Sequence, residues 1–139
     1  MFGRVLFRSG VDAFALEPLR EHPGAPFDAA LAMFWWSHLS ASRLRAFLSS
    51  LRQVLALDAR LVFADNRYVH GSSTPISRVD AAGNSYQQRR LADGRTFEVM
   101  KNFPTAQAVA AELEAIGLRE VRVESLRYFW VAEGRLAPA

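Results

Sequence analysis

Three groups of side chains in this sequence could act on a bound molecule. The first closes the run Phe34-Trp35-Trp36-Ser37-His38. An imidazole titrates near neutral pH and can take a proton from an oxygen or nitrogen nucleophile, so His38 is the candidate general base. The indoles of Trp35 and Trp36 can wall a pocket or stack on an aromatic acceptor. The second group, Asp65-Asn66-Arg67-Tyr68, offers carboxylate, amide, guanidinium and phenol in sequence. The third is Tyr86, Gln88 and Arg90, which share one face of a strand by period-two alternation. Each has a plainer counterpart. His38 can satisfy a backbone group in its loop, and one tryptophan belongs to the core, because neighbours in an extended segment point opposite ways. Residues 65–68 can be a solvated turn, and the 86/88/90 face is either a lid or an exposed polar surface. His22 and His70 fall in polar loops, and three histidines so scattered have no metal-ligand spacing.

Hydropathy indicates the elements that must position these groups. Two prolines and a glycine break the chain over Glu21 to Pro26, after a short strand end or loop over 10–19. From Phe27 to Phe34 the run is almost wholly apolar, which predicts a strand covered on both faces; its length decides for strand over helix. Ser40 is placed to cap a helix whose apolar stripe is Leu44, Phe47, Leu48, Leu51, Val54 and Leu55. A short turn at Leu57-Asp58-Ala59 leads into a second buried strand, Leu61 to Ala64. Strand, helix and strand make one βαβ unit with parallel strands. The second group of polar residues then stands at a strand's carboxyl end, where open α/β sheets bind ligands.

Beyond Asp65 the pattern becomes three short strands, 76–79, 85–91 and 96–102, separated by Ala82-Gly83-Asn84 and Ala92-Asp93-Gly94. This reads as a β-meander inserted into the α/β frame. Pro104-Thr105 opens a second helix with Val109, Leu113 and Ile116 on one face and Gly117 as its C-terminal stop. Strands follow over Val121 to Leu126 and Tyr128 to Val131, the last antiparallel to its neighbour.

The order of these features resembles the later part of a class I S-adenosylmethionine-dependent methyltransferase. Phe27-Asp28 with its strand and the loop ending His38-Leu39 is similar to that family's fourth strand. The first helix and Arg60 to Asp65 are similar to the next helix and fifth strand, and Gly10-Val11-Asp12-Ala13-Phe14 to the exit of the third. The 34–38 run and the segment Asn66 to Pro75 look like one branch acting on small molecules. The resemblance implies an α/β fold: a partial Rossmann-like sheet, mixed and mostly parallel with an antiparallel last strand, plus the inserted meander at about 76–102. It implies S-adenosyl-L-methionine as methyl donor, with Asp12 accepting from the adenine amino group, the Ala13 N–H meeting a ring nitrogen and Phe14 beside the base. Met33 and Phe34 would line the sulfonium end. Trp35, Trp36, Asn66, Arg67 and Tyr68 would face a small-molecule acceptor, with His38 as catalytic base. No metal is implied. The glycine-rich loop and the acidic ribose ligand of the family have no counterpart in this chain, and Val11 replaces a frequent glycine.

Composition narrows the setting. Half of the residues are hydrophobic, enough for a real core, and cysteine is absent, which excludes disulfides and thiolate chemistry. The net charge is +3, but the cations are dispersed arginines with the single lysine Lys101, not a basic face, so no nucleic-acid partner is expected. No apolar run reaches a membrane span, and a cytoplasmic location is the expectation. Arg4-Val5-Leu6-Phe7-Arg8-Ser9 translates CGTGTGCTCTTCCGATCT, the end of a sequencing adapter. Residues 1–9 are therefore read as a non-native segment, the other reading being an amphipathic first strand. Residues 10–139 are read as an incomplete methyltransferase domain, inactive and a poor cofactor binder by itself. Two other readings stand beside this one: a non-catalytic module whose open sheet edge is completed by a partner, and half of a nucleotide-dependent oxidoreductase. The oligomeric state is not legible.

Overall fold

A computed structural model of the protein describes residues 10–138, so the reading of residues 1–9 as adapter-derived lies outside the described residues. The elements run β1 (Phe27–Met33), α1 (Ala41–Arg52), β2 (Leu55–Asn66), β3 (Arg78–Val79), β4 (Ser85–Arg90), β5 (Thr96–Met100), α2 (Ala106–Ala115), β6 (Leu118–Ser125) and β7 (Phe129–Leu136). Single 3-10 turns cover Glu17–Glu21 and Trp36–His38.

The main sheet has the order β1-β2-β7-β6. β1 and β2 are parallel, whereas β7 is antiparallel to both β2 and β6. Three strands thus point one way and the last strand lies against them, the mixed sheet that the sequence predicts. β3, β4 and β5 form the separate antiparallel meander, slightly shorter than expected at both ends.

Both helices form where capping and apolar spacing agree. The Ser40 hydroxyl accepts from the Arg43 N–H at 3.5 Å, and the Thr105 hydroxyl accepts from the Ala108 N–H at 3.1 Å. Leu44, Phe47 and Leu48 of α1 and Val109 and Leu113 of α2 meet Leu61, Phe63, Trp130, Ala132 and Leu136 in one core. Leu48 and Leu113 are fully buried, worth roughly 2 kcal/mol each in apolar area removed from water. Gly117 ends α2 at φ 93, a conformation that costs any side chain about 1 kcal/mol or more.

Three expectations change. The helical stripe stops at Leu51: Val54 and Leu55 are buried at the start of the sheet, where the Phe27 N–H bonds the Val54 carbonyl at 2.9 Å. Leu57-Asp58-Ala59 is not a turn but part of β2, an irregularity with Asp58 at φ 63 that shifts the register between Phe27 and Ala29. Tertiary pairing decides this, because it extends the strand through residues whose local chemistry suits a bend. Finally, β1 is covered on one face only among the described residues. Ala30 and Ala32 pack on the core, whereas Leu31 is 69% exposed and Met33 47%.

Candidate functional site

The parallel pairing of β1 and β2 sets Met33 beside Ala64, so both strands deliver their carboxyl ends to one place. At that end Phe34 turns into left-handed backbone, φ 55, while its N–H bonds the Ala64 carbonyl at 2.8 Å. This conformation is strained for a residue with a side chain, and such strain collects at functional sites. The turn sends the two tryptophans to different places. Trp36 enters the core, 6% exposed and edge-on to Phe63 and Trp130 at 5.5 Å each. Trp35 packs 6.0 Å from Phe14 and, with Ala13, Ala30, Ala32 and Met33, lines a groove of about 350 Å³. Its indole nitrogen is buried with no hydrogen-bond partner among the described residues. Asp12 holds the adjoining turn, its Oδ1 accepting the Phe14 N–H at 2.9 Å. Phe34 points elsewhere and meets Phe129 edge-on at 5.9 Å.

Beside this groove lies a buried polar knot. Asp65 is wholly buried; its Oδ2 accepts the Ser37 N–H at 2.8 Å and its Oδ1 the Asn66 N–H at 2.7 Å. Lys101, 4% exposed, donates to Asp65 Oδ1 at 3.0 Å, Ser37 Oγ at 2.7 Å and Asn66 Oδ1 at 2.9 Å. All three ammonium protons are used, as burial of that charge requires. The knot ties the meander to the strand ends, because Lys101 directly follows β5. Asn102 adds its N–H to the Ser37 carbonyl at 2.7 Å.

The meander roofs a second pocket, about 340 Å³, whose lining includes Asn66, Arg67, Thr74, Gln87, Arg89 and Lys101. The inward face of β4 is Ser85, Gln87 and Arg89, with Gln87 2% exposed, whereas Gln88 and Arg90 lie outside. Tyr86 turns from the pocket: its ring lies under the Arg78 guanidinium at 3.8 Å and its hydroxyl donates to Asp80 at 3.0 Å, which raises the phenol's pKa. The 86/88/90 face is thus no lid over this pocket. Alternation was legible, but which face points inward depends on how the meander docks.

His38 is exposed beside the knot, its Nδ1 2.9 Å from the Met100 carbonyl. A carbonyl can only accept, so Nδ1 carries the proton and Nε2 of the neutral ring keeps its lone pair. Tyr68 packs edge-on to Phe103 at 5.3 Å and lines neighbouring hollows rather than the meander pocket. The structure therefore gathers Ala13, Phe14, Met33 and Trp35 at one site and Asn66 and Arg67 at the next. Lys101, Gln87 and Arg89 are the residues that sequence reasoning missed. Lys101 had one signal, as the chain's single lysine. Among the described residues no group of histidine, cysteine or carboxylates could hold a metal, and no helix is long and apolar enough to cross a membrane.

No family model and no curated protein sequence matches the chain. Solved structures do. The DhpI–SAH complex superposes with TM-score 0.60 at 26% identity, covering 81% of this chain and 48% of that one. A DhpI–SAM–HEP complex gives 0.61 at 24%, covering 78% and 50%. The glycopeptide N-methyltransferase MtfA with S-adenosylmethionine gives 0.55 at 15%, covering 81% and 58%. A SAM-dependent methyltransferase from Methanosarcina mazei gives 0.58 at 14%, covering 82% and 61%. The chain thus spans about half the length of the DhpI structures it matches. Its fold is that of the class I S-adenosylmethionine-dependent methyltransferases.

Proposed function

From that fold as premise, we propose that the protein takes part in methyl transfer from S-adenosylmethionine to a small-molecule acceptor. The observation that carries this reading is the adjacency of two pockets at the carboxyl ends of β1 and β2, one apolar and the other polar. The donor's adenine and sulfonium ends suit the first. Small side chains at Ala13, Ala30 and Ala32 leave the space, the Asp12 turn stands at its border, and the Trp35 ring forms part of the wall. The neighbouring DhpI and MtfA structures were solved with SAM or SAH, which supports the same donor here. Bound there, it supplies an electrophilic methyl group whose transfer breaks a carbon–sulfur bond and leaves a neutral thioether.

This chain's own contribution is alignment. Asn66 and Arg67 orient the acceptor from β2, and the Lys101–Asp65 pair fixes the roof over it. His38 lines neither pocket, but with Nδ1 held by the Met100 carbonyl its Nε2 is the group we assign to take the proton of an oxygen or nitrogen acceptor that extends toward it. Phe34, Trp36 and Tyr68 line neither pocket, so no contact with donor or acceptor is assigned to them. Nothing among the described residues supplies the glycine-rich loop or a ribose carboxylate. The chain by itself should therefore bind the donor weakly and release no product.

Two measurements test this. Isothermal titration of the 139-residue chain with S-adenosylmethionine should show weak binding; tight binding would overturn the proposed incompleteness. Long-read sequencing of the source DNA upstream of the Gly10 codon should find an open frame encoding a strand, a glycine-rich loop and a helix. The protein from that frame should release S-adenosylhomocysteine when given acceptors, and silence across a broad acceptor set would overturn methyl transfer. One observation favours a second reading. Among the described residues no strand pairs the outer edge of β1; with Leu31 and Met33 exposed it can add a strand from a partner, and a stable soluble complex without turnover would favour this reading.

A further inference from the structure

The meander pocket carries positive charge with no acid in its lining. Arg45, Arg60, Arg78, Arg95, Arg119 and Arg135 each face a carboxylate. Arg67 and Arg89 line the same pocket, no acid lines it, and neither forms an ion pair among the described residues. The one further cation there, Lys101, is already matched by Asp65. Two guanidinium groups, both on side chains exposed to solvent, therefore line one pocket without an ion-pair partner among the described residues.

These arginines are nonetheless held in place by neutral groups. Arg89 donates through one terminal nitrogen to Gln87 Oε1 at 2.9 Å and through the other to the Thr74 hydroxyl at 3.2 Å. Gln87 is fixed in turn, its Nε2 donating to the Thr74 carbonyl at 2.6 Å. Thr74, Gln87 and Arg89 thus close a small ring of hydrogen bonds on a buried glutamine. Arg67 is anchored by a bond to the Leu126 carbonyl at 2.6 Å. Neutral acceptors position a guanidinium without cancelling its charge, and each guanidinium has more donors than these bonds consume. Ser72, Ser73 and Tyr128 add hydroxyls around the same space.

Resting on the methyl-transfer reading, we propose that the acceptor carries an oxyanion, a carboxylate or a phosphate-type group, bound between Arg67 and Arg89. Such a group accepts paired N–H bonds from a guanidinium fork and relieves the repulsion between the two cations. Arg89 and Arg90 are neighbours in the sequence, and the docking of the meander brings only Arg89 to the pocket.

The test needs no cofactor. Inorganic phosphate and acetate are titrated separately into the 139-residue chain at constant ionic strength set with chloride, and binding is read by NMR shifts of the β4 amides. Saturable binding of either anion is expected, and the one that binds tells phosphate-type from carboxylate acceptors. Arg89→Gln and Arg67→Gln should each weaken it by about tenfold or more, the loss of charge-assisted hydrogen bonds. Arg90→Gln removes the same charge outside the pocket and should leave it unchanged. The proposal is overturned if neither anion saturates, or if Arg90→Gln weakens binding as much as Arg89→Gln. Because no methyl donor is present, anion binding to this chain together with silence of the extended-frame protein across acceptors would sink the methyl-transfer reading and leave this pocket standing. Turnover on neutral acceptors alone would do the reverse.

Discussion

Replacing Lys101 by methionine keeps most of the aliphatic stem and deletes the charge. Asp65, wholly buried, would retain the N–H groups of Ser37 and Asn66 but lose its cation at 3.0 Å. Breaking a buried pair by removing one partner costs about 3–5 kcal/mol, and the two retained bonds place this case near 3. That is a large part of a domain's total, roughly 5–15 kcal/mol. Urea unfolding followed by tryptophan fluorescence should show the midpoint falling by about 1–3 M, given slopes of about 1–3 kcal/mol per molar. Asp65→Asn should also destabilise, and the double variant should lose at least about 1 kcal/mol less than the sum of the singles, because the pair is one interaction. A loss from Lys101→Met of under about 1 kcal/mol, the value for an exposed pair, would refute the reasoning. So would strict additivity in the double variant. Either result would mean that water reaches the pair and that the meander is docked by other contacts.

A methyl group at Gly134 would sit 2.9 Å from Leu118 Cδ2 and 3.3 Å from the Arg119 carbonyl oxygen. Gly134→Ala should cost about 1–3 kcal/mol in the same urea assay, and a neutral result would show that β6 can shift away from β7. Asp80 is held below the ordinary carboxylate range, first by the Asn84 side chain and then by the Asn84 N–H, with Tyr86 and Ala82 adding further hydrogen bonds. A depressed folded-state pKa contributes stability above the unfolded value and loses it as pH falls through the folded one. The protection of the Ala82 and Asn84 amides, taken relative to intrinsic exchange at each pH, should therefore fall on acidification below the usual carboxylate range, and Asp80→Asn should remove that dependence; an identical acid response in both proteins would contradict it. Leu31→Lys on the open β1 edge should reduce light scattering at unchanged stability, within about 0.5 kcal/mol. Undiminished scattering would place the sticky surface elsewhere.

The sequence by itself determined the elements and their order. Ser40 and Thr105 cap helices whose apolar spacing is local information, and the turns of the meander carry their own residue chemistry. The βαβ unit, the antiparallel last strand and the methyltransferase resemblance all followed from that order. Tertiary structure decided what local periodicity leaves open. Both faces of 27–34 are apolar, yet only one is covered among the described residues. Trp35 and Trp36 differ in their surroundings, not in their chemistry, because the left-handed turn at Phe34 sends only the second into the core. Alternation in β4 offers two polar faces, and docking through Lys101 turns Gln87 and Arg89 inward in place of Gln88 and Arg90. Lys101 and Asp65 are 36 residues apart, so no local pattern links them. Burial is what forces an ammonium and a carboxylate to find each other, and burial is a property of the assembled fold.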